Sequence, residues 1–538
     1  MVRSPFRGLA ALLVVVCMGA LCNQALAQKP TMSPLQAPNT HASVDALDLS
    51  DHGLSDQGLS DQAKTSEQLQ SPIRHDAPQP EAESNEDTSG ADSEADKDED
   101  ANTESDQALE ERFEEFREKL EEMEESIEDV AAKAGNKSIV YSGTSKSTMK
   151  ISGRVHADAW GFDGGSGDEA ALTRFNDGLE PQNRLGFRRV RFGVKGKVKD
   201  NMVYKIEAEF AGGNDSEFRD VYLGWSDLPV LQKVLLGNQK RPYGLDHLNS
   251  SRHNVFLERP FVIEGFNQDA RRLGLASYQV SDDQAWNIRY GVYNQRNIQG
   301  LGNAIDDHLQ LEFAGRIANT IWYDETSGGR GYAHWAIAGT HADSSDDALI
   351  NEARFRTRPE ARSTNRWLNT GRIDGADHYE LLALEGVVNV GAVQVVGEYQ
   401  HVWLTREDGF EDVEFNGGYV YASYFFTGEH MPWDRKTGTL GRVIPHQNFW
   451  LVDRCDGCRE AGWGAWQIAA RFSYADFTDQ DILGGEGESF TLGLNWLWNP
   501  NARMQFNYIA GRVTNRDAGA GIESADYNIF GTRFMVDF

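Results

Sequence analysis

Cysteine is scarce in this chain of 538 residues, which contains four. Cys17 and Cys22 lie in an apolar stretch near the amino terminus, so Cys455 and Cys458 are the pair left to the rest of the chain. A lone C-x-x-C pair outside the cytosol favours a small loop disulfide over half of a zinc site, because no second ligand pair follows it. Two idle thiols are the remaining alternative.

Long hydrophobic runs are also lacking. After residue 27 no apolar run approaches the roughly 18 residues that a transmembrane helix needs. The mature chain is therefore predicted to have no helical membrane span. Membrane strands stay possible, because only alternate residues of such strands face lipid and the average hydropathy hides them.

Basic residues are outnumbered, with 52 Lys and Arg against 83 Asp and Glu and a formal charge of −31. Residues 28–134 hold 30 acidic and 8 basic residues, whereas residues 135–538 hold 53 and 42. The acidity is therefore mainly a property of the amino-terminal region. An acidic, exported chain is a poor candidate for binding nucleic acid.

The first 134 residues divide into three predicted parts. Residues 1–27 have the basic start, apolar run and Ala25-Leu26-Ala27 site of a cleaved signal peptide. Residues 28–107 are rich in Ser, Asp, Glu, Gln and Pro with few aromatics, which predicts a disordered acidic spacer. Residues 108–134 carry apolar residues at spacings of four and three, which favours a self-associating coiled coil over a single docked helix. That seam is Leu109, Phe113, Phe116, Leu120, Met123, Ile127 and Val130.

Residues 145–538 follow a period of two. In the stretch 187–198, Val190, Phe192 and Val194 alternate with cationic residues, so a strand there is apolar on one face and basic on the other. The pattern recurs about sixteen times, while residues 427–462 resist assignment. Short links alternate with long ones, and the chain ends on an alternating segment that finishes with Phe538. These features predict an all-β transmembrane barrel of about 16 antiparallel strands, preceded by the spacer and the short α-helical coiled coil.

Seven short sequence segments of this region are considered together, because they carry a resemblance to one protein family. They are Gly186–Lys197, Arg219–Trp225, Leu236–Leu245, Ser250–Arg252, Leu257–Pro260, Arg271–Leu275 and Phe426–Arg435. Together they resemble the phosphate-selective porins O and P of the bacterial outer membrane, over roughly residues 145–538. The resemblance implies a homotrimer of sixteen-stranded barrels, each with a long loop folded into its lumen. It also implies an arginine ladder that leads inward, with lysines nearer the periplasm.

The strand 187–198 supplies the first candidates for this ladder. Alternation places Arg189 and Arg191 on the lumen face near the outside, and Lys195 and Lys197 deeper. Arg188 faces lipid by strict alternation, or turns inward where the strand begins. Asp220 resembles the constriction acid of the family. The further pore-lining candidates are Lys205, Arg241, Arg252, Arg259, Arg271 and Arg272.

The resemblance predicts an outer-membrane porin that forms an anion-selective channel for phosphate or polyphosphate and is surrounded by outer-membrane lipid. Its spacer and coiled coil are then periplasmic. The alternative is a structural barrel, tethered through the coiled coil, that passes solutes without selectivity. No enzyme activity is expected, because no Ser and His pair stands in a recognisable hydrolase motif. No cofactor or metal is expected either.

Overall fold

A computed structural model of the protein describes residues 147–164, 168–212, 216–267, 270–300, 309–344, 353–453 and 459–538. The predicted signal peptide, spacer and coiled coil lie outside these residues, as do Cys455 and Cys458. Within the described ranges, no helix is long and apolar enough to cross a membrane.

Sixteen strands form one closed antiparallel barrel, in which each strand pairs with its neighbours in chain order. The barrel closes where the first strand pairs with the last, from Arg154 opposite Asp537 to Gly164 opposite Tyr527. The barrel strands are β1 (Thr148–Gly164), β2 (Arg184–Val198), β3 (Met202–Glu209), β4 (Glu217–Leu228), β5 (Gln232–Lys240), β6 (Arg271–Val280), β7 (Trp286–Asn294), β8 (Leu311–Tyr323), β9 (Gly331–Asp343), β12 (Ala376–Val390), β13 (Val393–Arg406), β14 (Val413–Phe425), β19 (Ala465–Asp479), β20 (Ile482–Asn499), β21 (Ala502–Asp517) and β22 (Ile522–Asp537). The predicted all-β barrel of about 16 strands is confirmed.

The connections carry short elements of their own. Three two-stranded sheets are β10 (Arg356–Thr357) with β11 (Leu368–Asn369), β15 (Trp433–Asp434) with β16 (Thr439–Leu440), and β17 (Trp450–Asp453) with β18 (Arg459–Gly462). The helices are α1 (Glu169–Phe175), α2 (Leu245–Leu248) and α3 (Phe261–Phe266), with a 3-10 turn at Glu325–Ser327.

The two faces of the barrel wall differ as the alternation predicts. On β20, Phe490 and Leu492 are 46 % and 43 % exposed on the outer face, while Ser489 and Thr491 are buried towards the lumen. An apolar outer face and a polar lumen are what a barrel in a lipid bilayer requires.

The two ends of the barrel also differ. The end that we call the turn end has short connections, such as 199–201, 391–392 and 500–501. The opposite end, which we call the loop end, carries the long connections 165–183, 241–270 and 344–375. The exception is the connection 426–464, which is long and starts from the turn end. On the outer face near the turn end, Trp466 stacks on Trp496 with ring centroids 4.9 Å apart, as in an interfacial aromatic belt.

The apolar core lies inside the barrel, because three connections fold into the lumen. Loop 241–270 brings in Phe266, whose ring meets Phe355 of connection 344–375 edge-on at 5.6 Å between centroids. From the turn end, residues 427–443 bring in Trp433, which stacks on Tyr332 of β9 at 5.4 Å between ring centroids. The part of the unassigned segment around Trp433 and Leu440 is therefore a lumen insert rather than part of the wall.

Candidate pore constriction

A β-bulge at Arg188 sets the direction of two consecutive arginines. Strands β1 and β2 pair His156 with Arg189 and Ala157 with Phe187, which leaves Arg188 as an extra residue. Phe187 is 65 % exposed on the outer face, whereas Arg188 donates to the Glu258 carboxylate at 2.7 and 3.0 Å. Strict alternation is therefore wrong for Arg188, because the bulge turns it inward together with Arg189.

Beyond the bulge, alternation holds along β2. Arg189 is 3 % exposed and its Nη1 donates to His156 Nδ1 at 3.4 Å. Arg191 pairs with Glu209 at 2.6 Å and with Glu207 at 3.4 Å. Lys195 and Lys197 follow towards the turn end, where Lys197 lies 3.6 Å from Asp227. Along β2, Arg189 and Arg191 thus lie nearer the loop end, and Lys195 and Lys197 lie nearer the turn end.

A second bulge turns Arg219 and Asp220 inward. Strands β3 and β4 pair Ile206 with Val221 and Ala208 with Phe218, so two residues of β4 face one residue of β3. Asp220 accepts hydrogen bonds from Lys205 and Arg271. Arg219, which the sequence analysis did not select, donates to Gln299 at 2.8 Å. The candidates Asp220, Lys205 and Arg271 therefore meet at one point of the lumen.

Glu207 links the cations of the first three strands. Its carboxylate lies 3.1 Å from Arg154, 3.4 Å from Arg191 and 3.1 Å from Lys205. Arg154, another residue that the sequence analysis did not select, also donates to Ser251 of the inserted loop at 2.8 Å. One carboxylate is thus shared among three cations, two of which, Arg191 and Lys205, have a second carboxylate partner in Glu209 and Asp220.

The remaining arginine candidates take part in holding the inserted loop or the start of β6. Arg241 is 2 % exposed and pairs with Glu312 at 2.8 Å. Arg259 pairs with the Asp246 carboxylate at 3.1 Å and donates to its carbonyl at 2.9 Å. Arg272 is 4 % exposed and donates to the Arg271 carbonyl at 3.1 Å.

Glu258 joins the inserted loop to two sides of the barrel. Besides Arg188 of β2, it pairs with Arg533 of β22 at 2.8 Å. Burial by itself raises the pKa of the Glu258 carboxyl, but Arg188, Arg189 and Arg533 hold that pKa well below its usual range. Glu258 therefore stays ionised and offsets part of the arginine charge at the loop end.

Connection 344–375 contributes arginines that the sequence analysis missed. The described part carries Arg354, Arg356, Arg358, Arg362, Arg366 and Arg372. The first three alternate with apolar or small residues. This alternation is visible in the sequence, but it lies in a connection and not in a strand of the barrel wall. The charge of Arg188, together with burial and the charge of Arg358, lowers the pKa of Arg362 to about 9. Cations of this loop and of β2 therefore crowd one another.

The insert from the turn end meets the tip of the inserted loop. The Leu440 N–H donates to Asn249 at 3.0 Å, and His253 donates to the Leu440 carbonyl at 2.9 Å. Below them, Arg252 lies 2.7 Å from Asp537, which also pairs with Arg442. The inserts thus narrow the lumen from both ends, beside the charged side chains of β1 to β4.

Comparison with known proteins agrees with this architecture. The family described as phosphate-selective porin O and P matches residues 149–538. The chain belongs to this family. The family and the porin-like barrel identify the protein as an outer-membrane porin and favour a channel over an enzyme.

Relatives of this porin include an uncharacterized protein of Caulobacter vibrioides, 25 % identical over 370 residues, which are 65 % of this chain and 68 % of the relative. Among solved structures, the trimer form of OmpT of Vibrio cholerae is 12 % identical with a TM-score of 0.44 and covers 73 % of this chain and 99 % of its own. OmpF of Salmonella typhi, in complex with daunomycin, is 12 % identical with a TM-score of 0.43 and covers 73 % of this chain and 98 % of its own.

Proposed function

We propose that this porin is an anion-selective channel for phosphate or polyphosphate, and that the cations of its lumen form the selective path. The observation that carries the proposal is a pair of buried donors with nothing to donate to. Arg189 Nε and His156 Nε2 are both buried and have no hydrogen-bond partner among the described residues. Because buried N–H groups are almost always paired, two unpaired ones on residues in contact with each other favour anionic oxygens as their missing acceptors.

The charges around Arg189 support the same conclusion. No carboxylate of the described residues lies within 4.0 Å of the Arg189 guanidinium. The guanidinium groups of Arg188 and Arg191, in contrast, each pair with a carboxylate. Around it, cations outnumber carboxylates. The charges that act most strongly on Arg189 are the cations Arg188, Arg191 and Arg533 and the single carboxylate of Glu258. A locally positive lumen can attract anions although the chain as a whole is acidic.

The order of cations along β2 favours transport over trapping. Arginine offers planar paired donors that grip phosphate oxygens, whereas lysine is a compact charge that releases them more readily. If the loop end faces outward, as in porins generally, capture occurs at Arg189 and Arg191 and release at Lys195 and Lys197. Attraction between unit charges at about 5 Å and a dielectric constant of about 20 is roughly 3 kcal/mol before desolvation. Several such sites in a row permit both entry and exit.

Reversal potentials test the proposal. We expect purified protein in planar bilayers under a potassium chloride gradient to show an anion-selective reversal potential. Added phosphate should reduce the chloride current, because it competes for the same cations. A cation-selective or unselective reversal potential, together with chloride current that phosphate leaves unchanged, would favour the structural barrel instead.

The anion preference should also fall at high pH. Arg362, with its pKa near 9, is charged at neutral pH and loses its proton as the pH rises through that value. We therefore expect the chloride preference, measured from reversal potentials at neutral pH and above 9, to decline across this range. The Arg362→Gln variant should show a weaker preference at neutral pH and a flatter profile. The matched control is Arg512→Gln, because Arg512 is exposed and pairs with Asp526. A wild-type profile in the Arg362→Gln variant would refute this assignment.

A further inference from the structure

Three potential metal ligands meet on the outer wall of the barrel, away from the lumen. His341 lies two residues before the end of β9, and Glu380 stands directly opposite it on β12. His378 precedes Glu380 by two residues, so both side chains lie on the same face of β12. That face is the outer one, because Trp335 and Ile337, which share the parity of His341 on β9, are 38 % and 43 % exposed.

The ligand atoms converge on one point. His341 Nδ1 lies 3.0 Å from Glu380 Oε1, and His378 Nε2 lies 3.5 Å from the same oxygen. All three ligand atoms lie within 4.8 Å of one another. Ligands at about 2.0–2.2 Å from a tetrahedral metal are roughly 3.3–3.6 Å apart, so small side-chain adjustments suffice. We propose that His341, His378 and Glu380 bind a divalent transition-metal ion of the zinc class at the loop end of the outer wall.

A second observation points to the same ligand. His378 Nδ1 is hydrogen-bonded to Asp377 Oδ2 at 2.8 Å. A carboxylate that accepts the proton of one imidazole nitrogen leaves the lone pair on the other, as in metal-binding histidines. That lone pair, on Nε2, faces the Glu380 carboxylate, and a metal cation bound by both would satisfy the two acceptors. Asp377 is therefore a positioning residue for His378.

The donor set decides the class of metal. Two imidazoles and one carboxylate suit zinc and its first-row neighbours, whereas magnesium and calcium prefer oxygen ligands alone. Three protein ligands leave a fourth position open to water. The His341 and Glu380 side chains are 54 % and 43 % exposed, so an ion from the medium can reach the site.

A simple ion pair is the competing interpretation, and the same wall offers its example. His401 of β13 lies 3.3 Å from Glu414. Among the described residues, no third metal ligand joins this pair. His401→Gln is therefore the matched control, since it removes an imidazole beside a carboxylate from the outer wall without touching the proposed site.

Metal titration of the full-length protein tests the proposal. Protein purified in detergent and stripped with a chelator is titrated with Zn²⁺ against a colorimetric competitor, and with Co²⁺ to follow its visible absorption. We expect one Zn²⁺ per chain at this site and a tetrahedral Co²⁺ spectrum. His341→Gln, His378→Gln and Glu380→Gln should each abolish both, and Asp377→Asn should weaken binding by about 10-fold or more.

Since the chain has 13 histidines, the variants decide the location. Loss of zinc binding in the three ligand variants, together with wild-type zinc binding in His401→Gln, supports the site. No zinc binding to wild-type protein, or equal binding in all variants, would overturn it. Slower gel migration after boiling confirms that each variant is folded, and the result is independent of ion selectivity in the lumen.

Discussion

Replacing Arg189 with glutamate is expected to remove most of the anion preference and most of the inhibition of chloride current by phosphate. Arg189 Nε is a buried donor without a hydrogen-bond partner among the described residues. A hydrogen bond to a charged group contributes about 1.5–3 kcal/mol, so the phosphate inhibition constant should rise roughly 10-fold to 150-fold. Since no described carboxylate pairs with Arg189, its loss should leave the neighbouring ion pairs in place.

In the double variant Arg189→Glu with Arg191→Glu, the reversal potential should shift to a value that indicates cation preference. Arg191 is the partner of Glu209 and shares Glu207, so its reversal leaves three carboxylates close together. The control is Arg512→Glu, which makes the same change of charge on the outer wall beside Asp526. It should keep the wild-type reversal potential. If folded Arg189→Glu protein conducts and is inhibited like wild type, the cations of β2 do not line the conducting path.

The barrel wall was predictable because a period of two is a local property of the chain. Phe490 and Leu492 face lipid while Ser489 and Thr491 face the lumen, and the sequence shows that alternation directly. A single inserted residue breaks the inference. The bulge at Arg188 turns two consecutive arginines inward. The hydropathy pattern does not reveal this bulge, because its position depends on the pairing of β2 with β1.

The lumen inserts were less predictable, because they are held by contacts between residues far apart in the chain. Glu258 lies 275 residues from its partner Arg533. Such pairs exist only once the barrel has closed, so no local pattern reveals them. The arginines from Arg354 to Arg372 were missed for the same reason: a loop shows which residues it carries, but not that it folds back into the lumen.

Removing the Glu360 carboxylate is the change expected to disturb the constriction most. Glu360 is fully buried in connection 344–375 and accepts hydrogen bonds from Arg471 of β19 at 2.7 Å and from Ser489 of β20 at 2.8 Å. It also accepts from the Phe261 N–H, at the start of α3, at 3.1 Å. One carboxylate therefore holds both loop-end inserts against the barrel wall.

In Glu360→Ala, the Arg471 guanidinium, 1 % exposed, is left without its partner carboxylate. Leaving one member of a buried ion pair alone costs about 3–5 kcal/mol. The barrel itself keeps its strand pairing, so the loss should appear first as release of the inserts. We expect larger single-channel conductance, weaker anion preference and faster trypsin cleavage within 353–372. Glu360→Gln keeps one acceptor oxygen, so its conductance and cleavage rate should lie between those of wild type and Glu360→Ala.

The matched control is Glu488→Ala on the same β20 strand, where the side chain is exposed on the outer wall. It removes the same charge without touching an insert, so its conductance and cleavage rate should equal those of wild type. Urea unfolding followed by gel migration reports the stability of each variant. Wild-type conductance, cleavage and urea midpoint in Glu360→Ala would mean that the inserts are held by their apolar contacts, such as Phe266 with Phe355, and not by this carboxylate.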